Sequence, residues 1–400
     1  MMIRKRYRDL IAHLPKREHT VLIGPRQTGK STLLNQLAES LKASDESVVV
    51  LNLERKDILL ELNQQPENLF KYLPQNAGQR QYVLIDEVQY LNDATNFLKL
   101  LFDEHTDRLK IVATGSSAFY IDRQFKDSLA GRKKIFELPT LDFEEFLMFK
   151  QQTEELKELQ RLRSGEVQKS ALEQQLWVAL EEFLTYGGYP AVVLEPQPNQ
   201  KIERLHELRD SFVKRDILEA GVTDESRFYR MMILLASQTG NLLNTNELSN
   251  TLRLTHPATD QFLYVLQKCF HISLVRPFFQ NLRKELVKMP KVYFNDLGLR
   301  NVLVNYFAPL DQRTDKGALL ENYVFRRLSE QYTGDQLKFW RTADGNEVDF
   351  VVEETAFGGK AIEVKFNPAD ANPNKYKKFT QAYPQFPLQF YVWRTPNLML

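Results

Sequence analysis

A short stretch that leaves an apolar strand and enters a helix constrains this chain most. The sequence VLIGPRQTGKSTLL, residues 21–34, places three β-preferring residues ahead of a loop with two glycines, and an apolar helical pattern follows directly. Residues 24–31 fit the spacing G-x-x-x-x-G-K-S/T in full. Glycines in such a loop let backbone N–H groups turn inward around phosphates, and the dipole of the following helix adds positive potential. The stretch therefore predicts a phosphate-binding loop.

The residues of this loop are the predicted contacts to ATP and Mg²⁺. Lys30 is expected to reach the β- and γ-phosphates and to act in catalysis, and the hydroxyl of Ser31 is expected to bind Mg²⁺. The full set of predicted contacts from the loop is Gly24, Pro25, Arg26, Gln27, Thr28, Gly29, Lys30, Ser31 and Thr32. A chance glycine-rich turn is the alternative, and the strand–loop–helix context argues against it.

An acidic pair follows a second apolar run, in YVLIDEVQ, residues 82–89. Asp86 at the end of this strand is expected to hold the hydration shell of Mg²⁺. Glu87 beside it is placed to orient or deprotonate the attacking water, as a catalytic residue. The pair favours hydrolysis of the nucleotide over its storage.

Further candidates for contact with the γ-phosphate follow the acidic pair. Thr114 or Ser116, in ATGSS at the end of the next predicted strand, is expected to contact the phosphate by a hydrogen bond, with a plain polar strand end as the alternative. Arg132 stands in a glycine-containing turn, LAGR, before the last strand of this region. It is predicted to supply charge to a γ-phosphate of its own chain or of a neighbour, and a solvated arginine is the alternative.

Short β-branched runs alternate with helical patterns between residues 20 and 140. The runs are almost continuously apolar, as expected where helices cover both faces of a parallel sheet. This region therefore predicts an α/β domain with a parallel sheet. The predicted strands span residues 20–24, 48–54, 82–86, 110–115 and 134–138.

Composition limits the cellular setting and the classes of partner. A net charge of +1 gives no global field toward nucleic acid or membrane, so such a site would be a local patch. A single cysteine, Cys269, excludes a disulfide framework within the chain. No run of about 18 apolar residues is present, so no membrane span is expected. We expect a soluble cytoplasmic protein without a membrane partner.

Five motifs, in their order along the chain, carry a resemblance to a known family. GPRQTGKST, LIDEVQ, TGSS, LAGR and ELPTLDFEEFL resemble a family of prokaryotic predicted ATPases in the AAA-related P-loop superfamily, whose members have a C-terminal domain of unassigned function. The resemblance covers essentially the whole chain. It implies that the loop's strand lies in the middle of the sheet and that ATP binds at the carboxyl end. In related signalling ATPases a glycine–proline motif packs against adenine, which makes Pro190 of GGYP a candidate, with a helix-breaking turn as the alternative.

The middle of the chain predicts helices and then a β-ribbon. Residues 151–182 are charged and helix-forming, which predicts a helical lid or linker over residues 141–222. Three helical patterns follow from residue 226, and the runs 272–279 and 291–296 are expected to pair as a ribbon. This order is that of a winged helix-turn-helix, which would contact either nucleic acid or protein.

Alternation along the predicted C-terminal strands, residues 337–366, brings acidic side chains to one face. Asp349, Glu363 and Lys365 share that face, and Glu321 lies beside the apolar stripe of a preceding helix. Three carboxylates and a lysine fit metal-assisted phosphodiester hydrolysis, with Mg²⁺ or Mn²⁺ as the metal and the lysine positioning water. The pattern also resembles the D…(D/E)xK core of restriction-endonuclease-like nucleases. A solvated β-meander with ion pairs is the alternative.

The sequence thus predicts an α/β chain: a P-loop NTPase parallel sheet, then a helical linker, a winged helix and a nuclease-like α/β domain. The preferred function is that of an ATPase switching conformation with the C-terminal modules. An ATP-controlled nuclease acting on DNA or RNA, and a nucleotide-gated protein scaffold, both remain open, as does a homo-oligomer. The predicted domains span residues 1–140, 141–222, 223–305 and 306–400.

Overall fold

The chain divides into two compact units, each of which is described by itself. One unit holds residues 1–140 and 268–270, and the other holds residues 141–267 and 271–400. The computed structural model describes residues 2–74, 80–115, 129–167, 170–279, 285 and 288–399. In the part of the chain so described, no helix is both long and apolar enough to span a membrane.

The N-terminal unit alternates strands and helices, as the apolar runs predict. Its five strands are β1 (His19–Ile23), β2 (Val48–Asn52), β3 (Gln81–Asp86), β4 (Leu109–Gly115) and β5 (Lys133–Glu137). Its helices are α1 (Arg6–His13), α2 (Lys30–Ala43), α3 (Lys56–Gln64) and α4 (Ala94–His105), with 3₁₀ turns at Pro66–Tyr72 and Val88–Tyr90.

All neighbouring strands of the N-terminal sheet are parallel, in the order β2-β3-β4-β1-β5. The α/β class with a parallel sheet is therefore confirmed. β1 lies inside the sheet, between β4 and the edge strand β5, rather than at its centre. Side chains of β1 alternate between two packed layers, with Val21 and Ile23 in one core cluster and Leu22 in another. Both faces of the sheet are thus covered, which explains the nearly continuous apolar runs.

The C-terminal unit begins with helices and ends in a mixed sheet. Its helices are α5 (Phe143–Phe149), α6 (Thr153–Arg163), α7 (Glu173–Tyr186), α8 (Pro190–Val193), α9 (Pro198–Glu219), α10 (Glu225–Ser237), α11 (Thr245–Leu252), α12 (His256–Lys268), α13 (Leu297–Leu303), α14 (Lys316–Leu328), α15 (Lys377–Ala382) and α16 (Pro396–Met399). Its strands are β6 (Ile272–Pro277), β7 (Lys291–Phe294), β8 (Leu337–Arg341), β9 (Glu347–Thr355), β10 (Gly358–Lys365) and β11 (Leu388–Val392). Further 3₁₀ turns span Leu310–Gln312, Pro368–Asp370 and Pro373–Tyr376.

The predicted ribbon is present and forms part of a larger sheet. β6 and β7 pair antiparallel, and Leu242 forms an isolated antiparallel bridge to Lys291. On its other side β6 pairs parallel with β8, so the ribbon continues the sheet predicted for the C-terminal domain. The sheet order is β11-β10-β9-β8-β6-β7. Because parallel pairing between distant segments has no local turn signal, the sequence did not predict this junction.

Candidate functional site

The loop after β1 has the conformation that its glycines predict. A Cβ atom on Gly24 would lie 2.2 Å from the backbone oxygen of Leu138, so only glycine fits there without a shift. Gln27 and Gly29 have φ angles of 58° and 90°, in the left-handed region. Alternation of such residues with ordinary ones turns successive N–H groups toward one side of a loop. The loop therefore forms a cradle beside the strand end.

The cradle closes around the side chain of Lys30. Lys30 is 5% exposed, and its Nζ donates to the backbone oxygens of Gly24 at 2.9 Å and Pro25 at 2.7 Å. The Thr28 hydroxyl also donates to the Pro25 oxygen, at 2.9 Å. Two backbone carbonyl oxygens of the loop thus help to hold the ammonium group in place.

Arg4 fastens this loop from outside and was missed by the sequence analysis. Its guanidinium is buried and donates to the backbone oxygens of Thr28 at 2.7 Å and Pro139 at 2.8 Å. Arg4 therefore joins the loop to the chain that follows β5. No local pattern signals this contact, because its partners lie 24 and 135 residues away.

Helix α2 begins directly after the cradle. Within this helix, which the structure describes in full, the first turn has neither an acidic residue nor a side-chain cap. Ser31 and Thr32 in that turn are exposed. Uncapped N–H groups at a helix N-terminus attract anions. The loop and the helix start together fit a phosphate group, and the Ser31 hydroxyl is available to a bound Mg²⁺.

The acidic pair lies at the same edge of the sheet as the loop. Asp86 ends β3 and is buried, and its Oδ1 accepts a hydrogen bond from the Thr114 hydroxyl of β4. Thr114 is in register with Leu22 of β1, directly before the loop. The backbone N–H of Glu87 donates to the same hydroxyl at 3.1 Å. Thr114 lies on β4, the strand between β3 and β1, and from there it holds Asp86 and Glu87 in position.

Glu87 is also held in position by its own backbone and by Gln89. Its φ angle of 59° is unusual for a residue with a side chain. The Gln89 amide donates to Oε2 of Glu87, and Gln89 is buried. Left-handed backbone at a non-glycine residue is often kept where geometry serves function. The sequence analysis named Thr114 only as a candidate phosphate contact and not as a partner of Asp86 and Glu87, and it missed Gln89.

The remaining predicted nucleotide contacts stay untested or lie elsewhere. Ser116 lies outside the described residues. Pro190 occupies the first turn of α8 in the C-terminal unit, and its contact with adenine stays a prediction.

Arg132 lies at the opposite end of β1 from the loop. Its backbone oxygen accepts from the N–H of His19, the first residue of β1, at 2.8 Å. His19 and Ile23 are four steps of about 3.3 Å apart along the strand, or about 13 Å. The guanidinium of Arg132 donates to both carboxylate oxygens of Asp103, at 2.6 and 3.2 Å. In this geometry Arg132 is remote from its own chain's loop, and a role toward a neighbour's nucleotide stays a prediction.

The predicted C-terminal residues do converge. The backbone N–H of Asp349 donates to Glu363 Oε2 at 3.2 Å, and Asp349 Oδ2 accepts from the N–H of Val364 at 2.9 Å. Lys365 donates to the other oxygen of Glu363. Glu321 of α14 joins this group through a residue that the sequence analysis did not name.

That residue is Lys291, at the start of β7, which is 1% exposed. Its Nζ lies 2.9 Å from Glu321 Oε1, 2.5 Å from Glu347 Oε1 and 3.8 Å from Asp349 Oδ1. The Tyr293 hydroxyl donates to Glu321 Oε1 at 2.6 Å. We call Glu321, Glu347, Asp349, Glu363, Lys291 and Lys365 the acidic cluster.

Burial and mutual repulsion shift the pKa values in the acidic cluster. Burial, with the charge of Asp349 added, raises the pKa of Glu321 to about 7 and that of Glu363 to about 8. Burial alone would lower the pKa of Lys291, but the charges of Glu321, Asp349 and Glu347 outweigh it and raise that pKa. Lys291 is therefore a permanent cation at neutral pH.

The acidic cluster as placed does not fit a divalent metal. Carboxylate oxygens that would bind Mg²⁺ or Mn²⁺ instead accept hydrogen bonds from Lys291, Lys365, Tyr293 and backbone N–H groups. Over the ranges that the structure describes, no group of three His, Cys, Asp or Glu side chains is arranged to hold a metal ion. The predicted convergence is present, but its centre holds an ammonium group.

Comparison with known families supports the N-terminal assignment. Residues 16–147 match the AAA domain family. Residues 178–310 and 316–396 match two domains of unknown function, DUF8612 and DUF4143.

Relatives of similar length occur in bacteria and archaea. An uncharacterized protein of Haemophilus influenzae is 27% identical over 384 residues, covering 90% of this chain and 87% of that protein. One of Methanocaldococcus jannaschii is 24% identical over 352 residues, covering 86% of this chain and 74% of that protein. Among solved structures, AMPPCP-bound DnaA from Aquifex aeolicus is 14% identical with a TM-score of 0.31, covering 67% of this chain and 89% of that one. The assignment of the N-terminal unit rests on the AAA match and on the loop residues.

Proposed function

We propose that this protein binds ATP with Mg²⁺ and hydrolyses it, and that hydrolysis acts as a conformational switch for the C-terminal modules. The observation that carries this proposal is the cradle around Lys30, which lies at the same sheet edge as Asp86 and Glu87. The match of residues 16–147 to the AAA family supports it.

Each residue at this edge has a part in the proposed reaction. The cradle N–H groups and Lys30 would bind the phosphates of ATP, and Ser31 with Asp86 would hold Mg²⁺. When bound, Mg²⁺ would neutralise charge on the phosphate oxygens. Glu87, aligned by Gln89, accepts a proton from the water that attacks the γ-phosphorus, and ADP leaves with the bond to the γ-phosphate broken.

The hydrogen bonds of Lys30 supply a basis for the proposed switch. Its ammonium donates to the oxygens of Gly24 and Pro25, and phosphate oxygens would compete for the same donors. Binding of ATP is therefore expected to rearrange the cradle. Arg4 connects that cradle to Pro139, close to the boundary of the unit after residue 140. Arg4 is thus positioned to pass a change in the loop toward the chain that follows.

The proposed ATPase is tested by hydrolysis of ATP by the purified full chain, with Lys30→Ala as the decisive variant. We expect turnover to fall at least about 100-fold, because an ammonium that binds the transferring phosphate has no substitute. Lys42→Ala is the matched control, since Lys42 lies on the same helix and is exposed. Unchanged turnover in Lys30→Ala, or equal loss in both variants, would contradict the assignment.

The four-part division of the chain stays a proposal. In it, the winged-helix-like part is joined to the last domain through the pairing of β6 and β8.

For the winged-helix-like part we favour a protein partner over DNA or RNA. The described exposed face of α12, its would-be DNA reader, includes Asp260, Gln261 and Tyr264 and has no cluster of positive charge. An electrophoretic shift with assorted DNA and RNA, with and without ATP, tests this choice, and a shift at physiological salt would reverse it.

An ATP-controlled nuclease is the second candidate. The convergence of Asp349, Glu363 and Lys365 favours it, and the position of Lys291 among the carboxylates counts against it. Incubation of DNA and RNA with the full chain, Mn²⁺ and ATP tests this candidate against Asp349→Ala. Cleavage that is lost in that variant would establish the nuclease, and its absence in the wild type would favour a nucleotide-gated scaffold.

A further inference from the structure

We propose that the ammonium of Lys291 is the built-in cation of the acidic cluster. It takes the place that a divalent metal would occupy in a nuclease-like site, and it closes the cluster to metal ions. This inference concerns the C-terminal unit alone and does not depend on the ATPase proposal.

The first argument is the arrangement of charges around one nitrogen atom. Glu321 comes from α14, while Glu347 and Asp349 come from one face of β9, and all three lie within 4.0 Å of Lys291 Nζ. An ammonium group has three donors, and here they face carboxylates from two elements. Carboxylates gathered in this way from a helix and a strand are the usual surroundings of a bound cation. Here the cation is a side chain of the protein, the ammonium of Lys291.

The second argument is that the cation is fixed in place. Lys291, the first residue of β7, pairs with Val275 of β6 and forms an isolated β-bridge with Leu242. Its backbone is therefore held on two sides. Its side chain is 2% exposed, which leaves little room for it to swing into solvent. The Lys291 side chain is therefore a fixed part of the cluster.

The third argument is the wall of aromatic side chains beside the Lys291 ammonium. The ring of Tyr293 stacks on Phe325 with centroids 4.6 Å apart and lies 5.5 Å from Phe350. The Lys291 ammonium lies 5.5 Å from the centroid of Phe339, in cation–π range. Divalent ions such as Mg²⁺ give up their water reluctantly and usually keep several water ligands. While the Lys291 ammonium lies beside this wall, a metal ion would have to displace it and give up its own water to enter the cluster.

Two neighbouring cations, Arg341 and Lys365, neutralise carboxylate charge in the cluster that Lys291 alone does not balance. Arg341 donates to the second oxygen of Glu347 at 2.6 Å, and Lys365 binds Glu363. Removing Lys291 would nevertheless leave Glu321 and Asp349 buried beside each other without their shared cation. Such a cluster either loses stability or recruits a cation from solution. Lys291 therefore determines whether the cluster is a metal site.

The test is binding of Mn²⁺ to the full chain without nucleotide, measured by electron paramagnetic resonance and by the thermal midpoint against chelator. The full chain is needed because a fragment that begins at residue 306 would lack Lys291. We expect the wild type to show no cluster-dependent binding and no change of midpoint. Lys291→Met should have a lower midpoint in chelator and should recover part of the loss with Mn²⁺, binding one more ion than the wild type.

Two variants make the outcome specific. Lys291→Met combined with Asp349→Asn should lose the gained Mn²⁺ response, because a carboxylate of the new site is gone. Lys360→Met is the matched control: Lys360 lies in the same sheet and pairs with the single carboxylate of Glu354, so it should gain no response.

Two outcomes would overturn the proposal. One is Mn²⁺ binding by the wild type that Asp349→Asn abolishes, which would show that the cluster accepts metal with Lys291 present. The other is a folded Lys291→Met variant that binds no additional Mn²⁺, which would show that the ammonium does not stand at a metal position. If Lys291→Met fails to fold, the wild-type measurement and Lys291→Gln decide between these outcomes.

Discussion

Two buried lysines, Lys30 and Lys291, serve opposite purposes in the two units. Lys30 donates to the neutral backbone oxygens of Gly24 and Pro25, whereas Lys291 lies among the carboxylates of Glu321, Glu347 and Asp349. A phosphate competes well with a neutral carbonyl for an ammonium, but carboxylates already neutralise it. The carboxylates around Lys291 therefore make it an internal counter-ion, whereas phosphate oxygens can replace the carbonyl contacts of Lys30.

Among the substitutions that test the contrast between the two lysine sites, Glu87→Gln is expected to have the largest effect, a loss of ATP turnover. This change keeps the shape of the side chain and removes its capacity to accept a proton, so turnover should fall by about 10²–10⁴-fold. Binding of ATP, measured by calorimetry with Mg²⁺, should stay close to that of the wild type. Loss of binding with unchanged turnover per bound ATP would instead make Glu87 a ligand and would break the proposed division of roles between Lys30 and Glu87.

A pair of glycine substitutions compares the rigidity of the two sites. In Gly24→Ala the new methyl group would meet a backbone oxygen at 2.2 Å, which should cost about 3 kcal/mol of unfolding free energy and abolish ATP binding. In Gly240→Ala, at φ +81°, it would meet the flexible carboxylate of Glu321 at 3.2 Å, which should cost about 1–2 kcal/mol, mostly backbone strain. Denaturant unfolding measures both, and equal costs would contradict the close approach at the cradle.

Acidification should act in opposite directions on His19 and on the acidic cluster. Burial, with smaller effects of Lys110 and Arg80, lowers the pKa of His19 to about 4, against about 6.5 in an unfolded chain. His19 therefore stays neutral in the fold, and its contribution is complete above pH 6.5 and is lost as pH falls toward 4. The loss amounts to about 3 kcal/mol. In the acidic cluster, the raised pKa values of Glu321 and Glu363 have the opposite sign, so protonation relieves repulsion there.

His19→Gln checks this pH dependence. The variant should show a flatter decrease in unfolding free energy between pH 6.5 and 4 than the wild type, whatever constant cost the substitution adds. Denaturant unfolding at several pH values gives the comparison. Parallel curves for the two proteins would mean that His19 is not the group that titrates on unfolding.

The smallest effect is expected from Arg4→Met, which loosens the cradle without touching its lysine. Loss of charged hydrogen bonds to Thr28 and Pro139 should weaken ATP binding about 10-fold, because the loop is less well ordered before binding. Turnover at saturating ATP should change little. Arg8→Met is the control, because Arg8 lies four residues further along the chain, on α1, and is exposed. An effect as large as that of Lys30→Ala would place Arg4 in direct contact with the nucleotide.

Contacts that arise from local pattern were predictable from the sequence. The cradle follows from glycine and lysine spacing between a strand and a helix, and Asp86 and Glu87 follow from the end of an apolar strand. The alternation of side chains along β9 and β10 placed Asp349, Glu363 and Lys365 on one face. Each of these inferences needed only neighbouring residues and the periodicity of one element.

Contacts between distant segments were not predictable in this way. Lys291 meets residues 30 or more positions away, and nothing around it in the sequence marks it as the centre of a cluster. Arg4 and the parallel pairing of β6 with β8 are of the same kind. The position of Arg132 is different. Since parallel strands share a direction, a residue just before β5 has to lie at the end of the sheet opposite to the loop, and that signal was available.

The contrast between the two lysines is tested most directly by counting bound Mn²⁺ on the full chain with and without a non-hydrolysable ATP analogue. The account predicts no tightly bound ion without nucleotide and one ion when the analogue is present, because Ser31 and Asp86 would hold the ion only together with the nucleotide. The Lys30→Ala variant should lose that ion. An ion that binds without nucleotide and is removed by Asp349→Ala would contradict the account, because Lys291 would then not be the cation of the acidic cluster.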